Sequence, residues 1–245
     1  MPDGPCFTPR DFLRWMEEGG IPSPKVYDIC ILALASYGQL CEELRAKPVE
    51  GRYWSTFLAN ADETTIARPG IGASEVVMRC EEIIALGIER PQFVGSGGSL
   101  REDVPIGSIV LPLSAVVDEG TSRHYVGVRE RIDPPGTVSQ MLSKEAAKMG
   151  VVVVEGAVWT ADVPYREMRF RAEELSGQGV VAVEMECSAL FALGEVRDVE
   201  VGGLVVISDT LFPEWRFDPE ESDKGTEQAR RIIARAAGEL ANQTT

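Results

Sequence analysis

The sequence predicts a single α/β domain over residues 1–245, with a central mixed, largely parallel β-sheet flanked by helices on both faces. Three observations predict it. Apolar runs of strand length recur along the chain with turn residues between them, several are followed by segments of helical pattern, and no repeat, low-complexity tract or linker divides the chain. Strands that alternate with helices build sheets covered on both faces, whose strands read as continuous apolar runs.

The elements follow in order. Thr8 before Pro9 starts a helix, with Pro at its first position, and Gly19-Gly20 stops it. "PRDFLRWMEE" is thus an amphipathic piece of an N-terminal helical arm over residues 1–25, fit either for an interface or for the chain's own core. The strand candidates are "YDICILALAS", "TTIARPGIG", "PQFVGSGGS", "GSIVLPLSAVV", "VVVVEGAVWTAD", "GVVAVEME" and "VGGLVVISDT". Helical patterns cover "GASEVVMRCEEIIALG", "SKEAAKMG", "ECSALFALGEV" and "GTEQARRIIARAAGELANQ".

Composition excludes several functions. With 24 Lys and Arg against 39 Asp and Glu the formal charge is −15, so no broad electrostatic footprint for nucleic acid or an anionic membrane is expected. An anionic substrate needs a local basic pocket. The five cysteines are scattered and never spaced as C-x-x-C, which reads as reduced thiols in a cytoplasmic protein, not a disulfide framework or a zinc site. The N-terminus lacks the pattern of a signal peptide, and no run reaches membrane-spanning length. The lone histidine, His124, stands in the polar stretch "DEGTSRHY" and reads as a surface or interface residue, so no Ser-His-Asp set and no metal cluster can be assembled.

Ligands of open α/β sheets collect at the carboxyl ends of strands, and three such ends here carry polar groups. "FVGSGGSL" offers glycines and Ser96, either a tight turn or a backbone nest for an anion. "VVISDT" offers Ser208, Asp209 and Thr210, with a helix cap as the bland role for the Asp. "VVAVEME" sets Glu184 and Glu186 in an apolar run, where an unpartnered carboxylate costs several kcal/mol. Glu186 could cap the following helix, and Glu184 could pair with an internal arginine. In "VWTADVPYRE", Trp159 reads as core, while Tyr165 and Arg166 are candidates to line a pocket.

In this order and spacing, "FVGSGGSLREDVPIGSIVLP", "WTADVPYRE", "VVAVEMECSALFALGEV" and "VVISDT" resemble the nucleoside phosphorylase-I superfamily of purine nucleoside phosphorylases, uridine phosphorylases and related nucleosidases. "RPGIGASEVVMRCEEIIALGI" fits the segment before them, so the likeness covers most of residues 27 to 240. It implies a three-layer α/β/α phosphorylase-like fold. Glu186 would accept hydrogen bonds from the ribose hydroxyls, Met185 would pack beneath the sugar and Glu184 would fix the segment. Asp209 matches the position that protonates or hydrogen-bonds N7 of a departing purine. Tyr165, Arg166 and Ser208 fall at the base, and Ser96, Gly95, Gly72 and Arg52 at the anion, Arg52 reaching phosphate from a neighbouring subunit. No metal or organic cofactor is implied, phosphate being a co-substrate, and members assemble as dimers, trimers or hexamers.

Two phosphate-binding arginines of the family pattern are missing. One position is Phe93, and the N-terminal loop falls at residues 33–40, "LALASYGQL" giving no arginine. The glutamate that positions water in hydrolytic members is missing near Ser36. Phosphorolysis of a purine nucleoside is the first expectation, phosphate-independent hydrolysis of a nucleoside or modified nucleoside the second, and a non-catalytic nucleoside-binding homologue the third.

Overall fold

All seven apolar runs become strands, and burial explains why. The computed structural model describes residues 4–212 and 214–242. In chain order its elements are α1 (Pro9–Glu18), β1 (Ile29–Ala33), α2 (Tyr37–Glu43), β2 (Lys47–Pro48), β3 (Leu58–Ala61), β4 (Thr64–Ala67), α3 (Ala73–Ala85), β5 (Arg90–Ser99), β6 (Ile109–Asp118), α4 (Arg123–Val126), β7 (Arg131–Ile132), α5 (Val138–Lys148), β8 (Val153–Ala161), α6 (Arg169–Gly177), β9 (Val180–Glu184), α7 (Cys187–Arg197), β10 (Gly202–Thr210), β11 (Arg216–Phe217) and α8 (Pro219–Ala241). Every residue of β1, β4 and β9 is buried, as expected of strands covered on both faces.

The strands form one mixed sheet. Strand β10 pairs with β5 in parallel and with β6 in antiparallel fashion, so β5, β9, β8, β6 and β10 close into a ring. From β5 the sheet continues through β1, β4, β3 and β2. Helices α1, α3 and α7 share one core with Phe93, Phe191 and Val205, while α5 and α8 cover the other face through Leu142, Ile232, Ile233 and Val206. No helix among the described residues is long and apolar enough to cross a membrane.

The N-terminal helix starts where its sequence says. The Thr8 hydroxyl accepts from the Asp11 N–H at 3.2 Å, and the Asp11 carboxylate accepts from the Thr8 N–H at 3.0 Å, a reciprocal cap worth about 1 kcal/mol. Leu13 and Met16 are buried, and Phe12 meets the Tyr53 ring edge-on with centroids 5.9 Å apart. Of the two roles open to this helix, packing on the chain's own core is the one observed.

Several elements escape the sequence pattern. Strands β2, β3, β7 and β11 are two to four residues long, too short to show a period. Helix α6, "RFRAEELSG", buries only Ala172 and Leu175, so it carries almost no apolar stripe. Helix α8 begins at Pro219 behind the cap Asp218, whose side chain accepts from the Glu220 and Glu221 N–H groups. The sequence pattern starts this helix at Gly225, but that glycine is interior to it, kept small by the backbone of Gly107 crossing against it.

Phe93 is fully buried, with its ring 6.2 Å from that of Phe191 and directly over Gly203 of β10. A methyl group on Gly203 would overlap the ring, and overpacking of this kind costs about 1–3 kcal/mol. Gly203→Ala is therefore expected to lower the thermal midpoint by roughly 2–4 °C for each kcal/mol lost, measurable by differential scanning calorimetry. An unchanged midpoint would mean that the two strands separate freely at this point.

Candidate active site

Strands β5, β9 and β10 bring their ends together. β9 meets β5 only at the end, with Val183 opposite Gly98 and Ala182 opposite Ser99, while β10 lies along β5 with Asp209 opposite Gly98. The glycine run is pressed between the two chemically loaded ends. A Cβ on Gly97 would stand 2.5 Å from the Val183 carbonyl and 3.4 Å from Cβ of Glu184. One on Gly98 would stand 2.5 Å from Leu211 Cδ1 and 3.3 Å from Asp209 Oδ2. Crowding therefore requires glycine at both positions. The expectation of a tight turn is corrected: Gly95, Ser96, Gly97 and Gly98 all lie within β5, paired with β10, and none of these glycines has a positive φ.

The carboxylates of "VEME" are both partnered. Glu184, the last residue of β9, accepts from the Thr160 hydroxyl at 2.5 Å with Oε1, and from the N–H groups of Glu186 and Cys187 at 2.7 Å each with Oε2. These are unsatisfied donors of the first turn of α7, where the helix dipole also favours negative charge. The Thr160 hydroxyl in turn accepts from the Ser188 N–H at 2.9 Å. Thus Glu184 caps the helix, not Glu186, and its partners are N–H and O–H donors in place of an arginine. Burial still pushes its proton affinity up, against these donors.

Glu186 stands at the N-cap of α7 and accepts from the Gly72 N–H at 2.6 Å with Oε1. Gly72 is itself the N-cap of α3, with φ of 92°, a conformation that favours glycine. Burial, and then the charge of Glu184, hold the Glu186 carboxyl up to about 7.

Beside these strand ends lies a cavity of about 700 Å³. Ser96, Glu184, Met185, Ser208, Asp209 and Tyr165 line it. The Asp209 carboxylate accepts from the Ser208 hydroxyl at 2.8 Å with Oδ1 and from the Trp215 indole N–H at 3.1 Å with Oδ2. Tyr165 is fully exposed at its mouth and Trp215 is 69% exposed. Gly72, Gly95, Glu186, Arg52 and Arg166 are not among the lining residues: the Glu186 carboxylate is on Gly72, Arg52 is exposed, and Arg166 closes an exposed 3-10 turn, Pro164–Arg166.

Sequence reasoning missed Glu167, Arg169, Leu211, Phe212 and Trp215, which also line the cavity. Glu167 and Arg169 were one and three residues beyond the "PYR" already singled out; the 3-10 turn that rotates Glu167 inward leaves no periodic signal. Burial, and then the charge of Asp209, push the Glu167 carboxyl up to about 7. Glu167, Glu184 and Asp209 thus face a single lining guanidinium, Arg169, whose plane lies over the Phe212 ring at 5.8 Å. Such a wall favours charge that develops as positive. Arg68, another cation near the β1 end, stacks over Tyr37 at 5.5 Å and donates to the Thr56 carbonyl at 3.1 Å. His124 is exposed on α4, and Trp159 is buried with its indole N–H on Asp118.

A carboxyl whose folded-state proton affinity is raised stabilises the fold where the native state holds the extra proton and loses that contribution as pH rises through the folded value. Glu186 therefore weakens the protein between pH 4.5 and about 7. Glu186→Gln is expected to raise the thermal midpoint at pH 8 by a few °C relative to its effect at pH 5, about 2–4 °C per kcal/mol. A substitution effect independent of pH would refute the buried charge at this position.

Comparison with known proteins agrees with this arrangement. Residues 31–241 match the family model of the phosphorylase superfamily. A uridine phosphorylase of Treponema pallidum is 30% identical over 207 residues, spanning 78% of this chain and 80% of that protein. A guanosine phosphorylase of Halorubrum lacusprofundi is 25% identical over 198 residues, spanning 80% of this chain and 82% of that protein. Among solved structures, an AMP nucleosidase of Bacteroides thetaiotaomicron shares the fold with a TM-score of 0.77 at 20% identity, covering 97% of this chain and 99% of the other.

Proposed function

Because the chain belongs to the phosphorylase superfamily, an enzyme family of nucleoside phosphorylases and nucleosidases, we propose that it cleaves the N-glycosidic bond of a purine nucleoside with phosphate. The products are the free base and ribose 1-phosphate. The observation that carries the purine reading is Asp209, a carboxyl on the cavity wall steadied by Ser208 and Trp215. As the C1′–N bond breaks, its electrons pass to the base, and a proton from Asp209 to N7 offsets that charge. The sugar takes on oxocarbenium character, which the carboxylates at the end of β9 favour more in the transition state than in the ground state.

In this reading Met185 packs under the sugar and Glu186 exchanges its Gly72 N–H for ribose hydroxyls. Tyr165 stacks on the base, with Ser208 and Arg166 beside it. Phosphate attacks C1′ from the side of Ser96, Gly95 and Gly72, with Arg52 supplied by a neighbouring copy in a dimer, trimer or hexamer. The chemistry needs no metal or organic cofactor, and the chain works in the cytoplasm on small molecules.

Hydrolysis is the second reading, and one observation favours it: Phe93, where the family pattern has an arginine, is locked in the core, and among the described residues Arg169 is the one guanidinium on the cavity wall. Purified protein is expected to release base from inosine or guanosine only when phosphate is present, followed by chromatography of base and ribose 1-phosphate. Release independent of phosphate selects the hydrolytic reading, and binding without turnover by either route removes the enzymatic one. Asp209→Asn is expected to lower turnover of these purines by about 10²–10⁴-fold. Wild-type turnover by that variant would remove the acid role from Asp209.

A further inference from the structure

We propose that Thr160 is a positioning residue for the sugar, its one hydroxyl clamping both sides of the bend that carries Met185 and Glu186. This rests on the functional reading above and deepens it, since Thr160 acts on the two residues which that reading sets against the ribose.

Strand β9 ends at Glu184 and helix α7 begins at Cys187, so the passage from strand to helix consists of Met185 and Glu186 alone. Whatever holds the two ends of this bend sets the place of both side chains. Thr160 lies on β8 directly opposite Glu184, in parallel register. Its hydroxyl donates to Glu184 Oε1 at 2.5 Å, on the strand side, and accepts from the Ser188 N–H at 2.9 Å, on the helix side. A hydroxyl can do both because one atom carries a donor and two lone pairs.

The surrounding bonds leave this clamp little freedom. Thr160 and Ser188 are fully buried, so neither group can turn to water instead. Glu184 spends its other oxygen on the N–H groups of Glu186 and Cys187. The Ser188 hydroxyl is turned away, donating to Glu119 Oε1 at 3.0 Å, and Glu119 in turn accepts from the Ser122 N–H at 3.1 Å. The loop after β6 thus holds Ser188 from its far side, and Thr160 holds it from the near one. Thr160 is not among the residues that line the cavity, whereas Glu184 and Met185 are. It acts through its partners and not on a ligand.

Thr160→Val keeps the shape and removes the hydroxyl. Glu184 Oε1 then loses a donor and the Ser188 N–H its acceptor, on opposite sides of one bend and away from water. Buried polar groups are found paired, so the backbone shifts to pair them again, and Met185 and Glu186 shift with it. A displacement of about 1 Å at a reacting centre costs about 10²-fold in rate.

The test compares Thr160→Val and Thr160→Ser with the wild type on inosine and 2′-deoxyinosine in phosphate. The second nucleoside lacks one of the hydroxyls that Glu186 would accept from, and so depends less on where Glu186 stands. Thr160→Val is expected to lose about 10²-fold in turnover of inosine, with a loss on 2′-deoxyinosine smaller by about tenfold. Thr160→Ser, which keeps the hydroxyl, is expected to restore both. No loss in Thr160→Val, equal losses on the two nucleosides, or a loss in Thr160→Ser as large as in Thr160→Val would overturn the proposal and leave Thr160 a packing role. Where Thr160→Val does not fold, Thr160→Cys, whose thiol is a weak donor and a weak acceptor, takes its place and the same comparison of the two nucleosides decides. If the wild-type protein turns over neither nucleoside, with phosphate or without, the functional reading fails by itself. The clamp is then judged by amide hydrogen exchange of the resting protein. Exchange at Glu186, Cys187 and Ser188 that quickens by about tenfold in Thr160→Val and returns in Thr160→Ser supports it, and unchanged exchange at these three amides overturns it.

Discussion

The Glu184 carboxylate on the first turn of α7 is the contact on which the site depends. An ionised group enclosed at the end of a wholly buried strand is costly unless its lone pairs are filled. Here two backbone N–H groups and the Thr160 hydroxyl fill them. The same donors would otherwise be orphaned at the helix start, so strand end and helix start each satisfy the other. That mutual satisfaction fixes where α7 leaves β9, and with it the positions of Met185 and Glu186. The neighbouring Glu186 reaches the N-cap of α3 through Gly72, so two helix N-termini converge on two carboxylates. Negative charge held ready in this way favours a ligand that acquires positive charge, at some cost to stability before it arrives.

The glycines follow from the same convergence. Strand β5 runs between β9 and β10, and both neighbours bring functional side chains to their last residues. A Cβ at Gly97 would run into the Val183 carbonyl of β9, and one at Gly98 into Leu211 just past β10. At the other end of the strand the relation reverses: Gly203 on β10 makes room for Phe93. An arginine at position 93 would have to enter a closed apolar core between Phe191 and β10, so the departure from the family pattern is fixed by packing as well as by sequence. An anion site in this protein has to be built from other donors.

Legibility in the sequence tracked how much apolar surface each element buries. The seven buried strands and the heavily apolar α3 and α7 stood out because burial writes their pattern. Helix α6 and the short strands β3 and β11 did not, since they lie at the margin of the sheet and depend on tertiary contacts. Among site residues, Ser208, Asp209, Glu184 and Met185 were legible as polar or unusual residues at strand ends. Glu167 and Trp215 were not: each lies in irregular backbone, where neither a period of 2 nor one of 3.6 indicates which side chain faces inward. Arg166 lies in the right segment, but its neighbour Glu167 is the side chain that lines the cavity. The Glu184 cap escapes the sequence pattern for a related reason, since its carboxylate stands two residues before the N-cap and reaches the first turn only through the bend between β9 and α7.

The acidity of the cavity also bears on where phosphate can stand. At 4 Å and an effective dielectric near 20, two like charges repel by about 4 kcal/mol. Phosphate beside Asp209, Glu167 and Glu184 would meet that repulsion several times over. Ser96 adds a hydroxyl to the same wall, and Arg68, stacked over Tyr37, is not among the lining residues. An anion entering the site raises the proton affinity of every carboxyl it approaches, so it would push the Glu167 carboxyl further up.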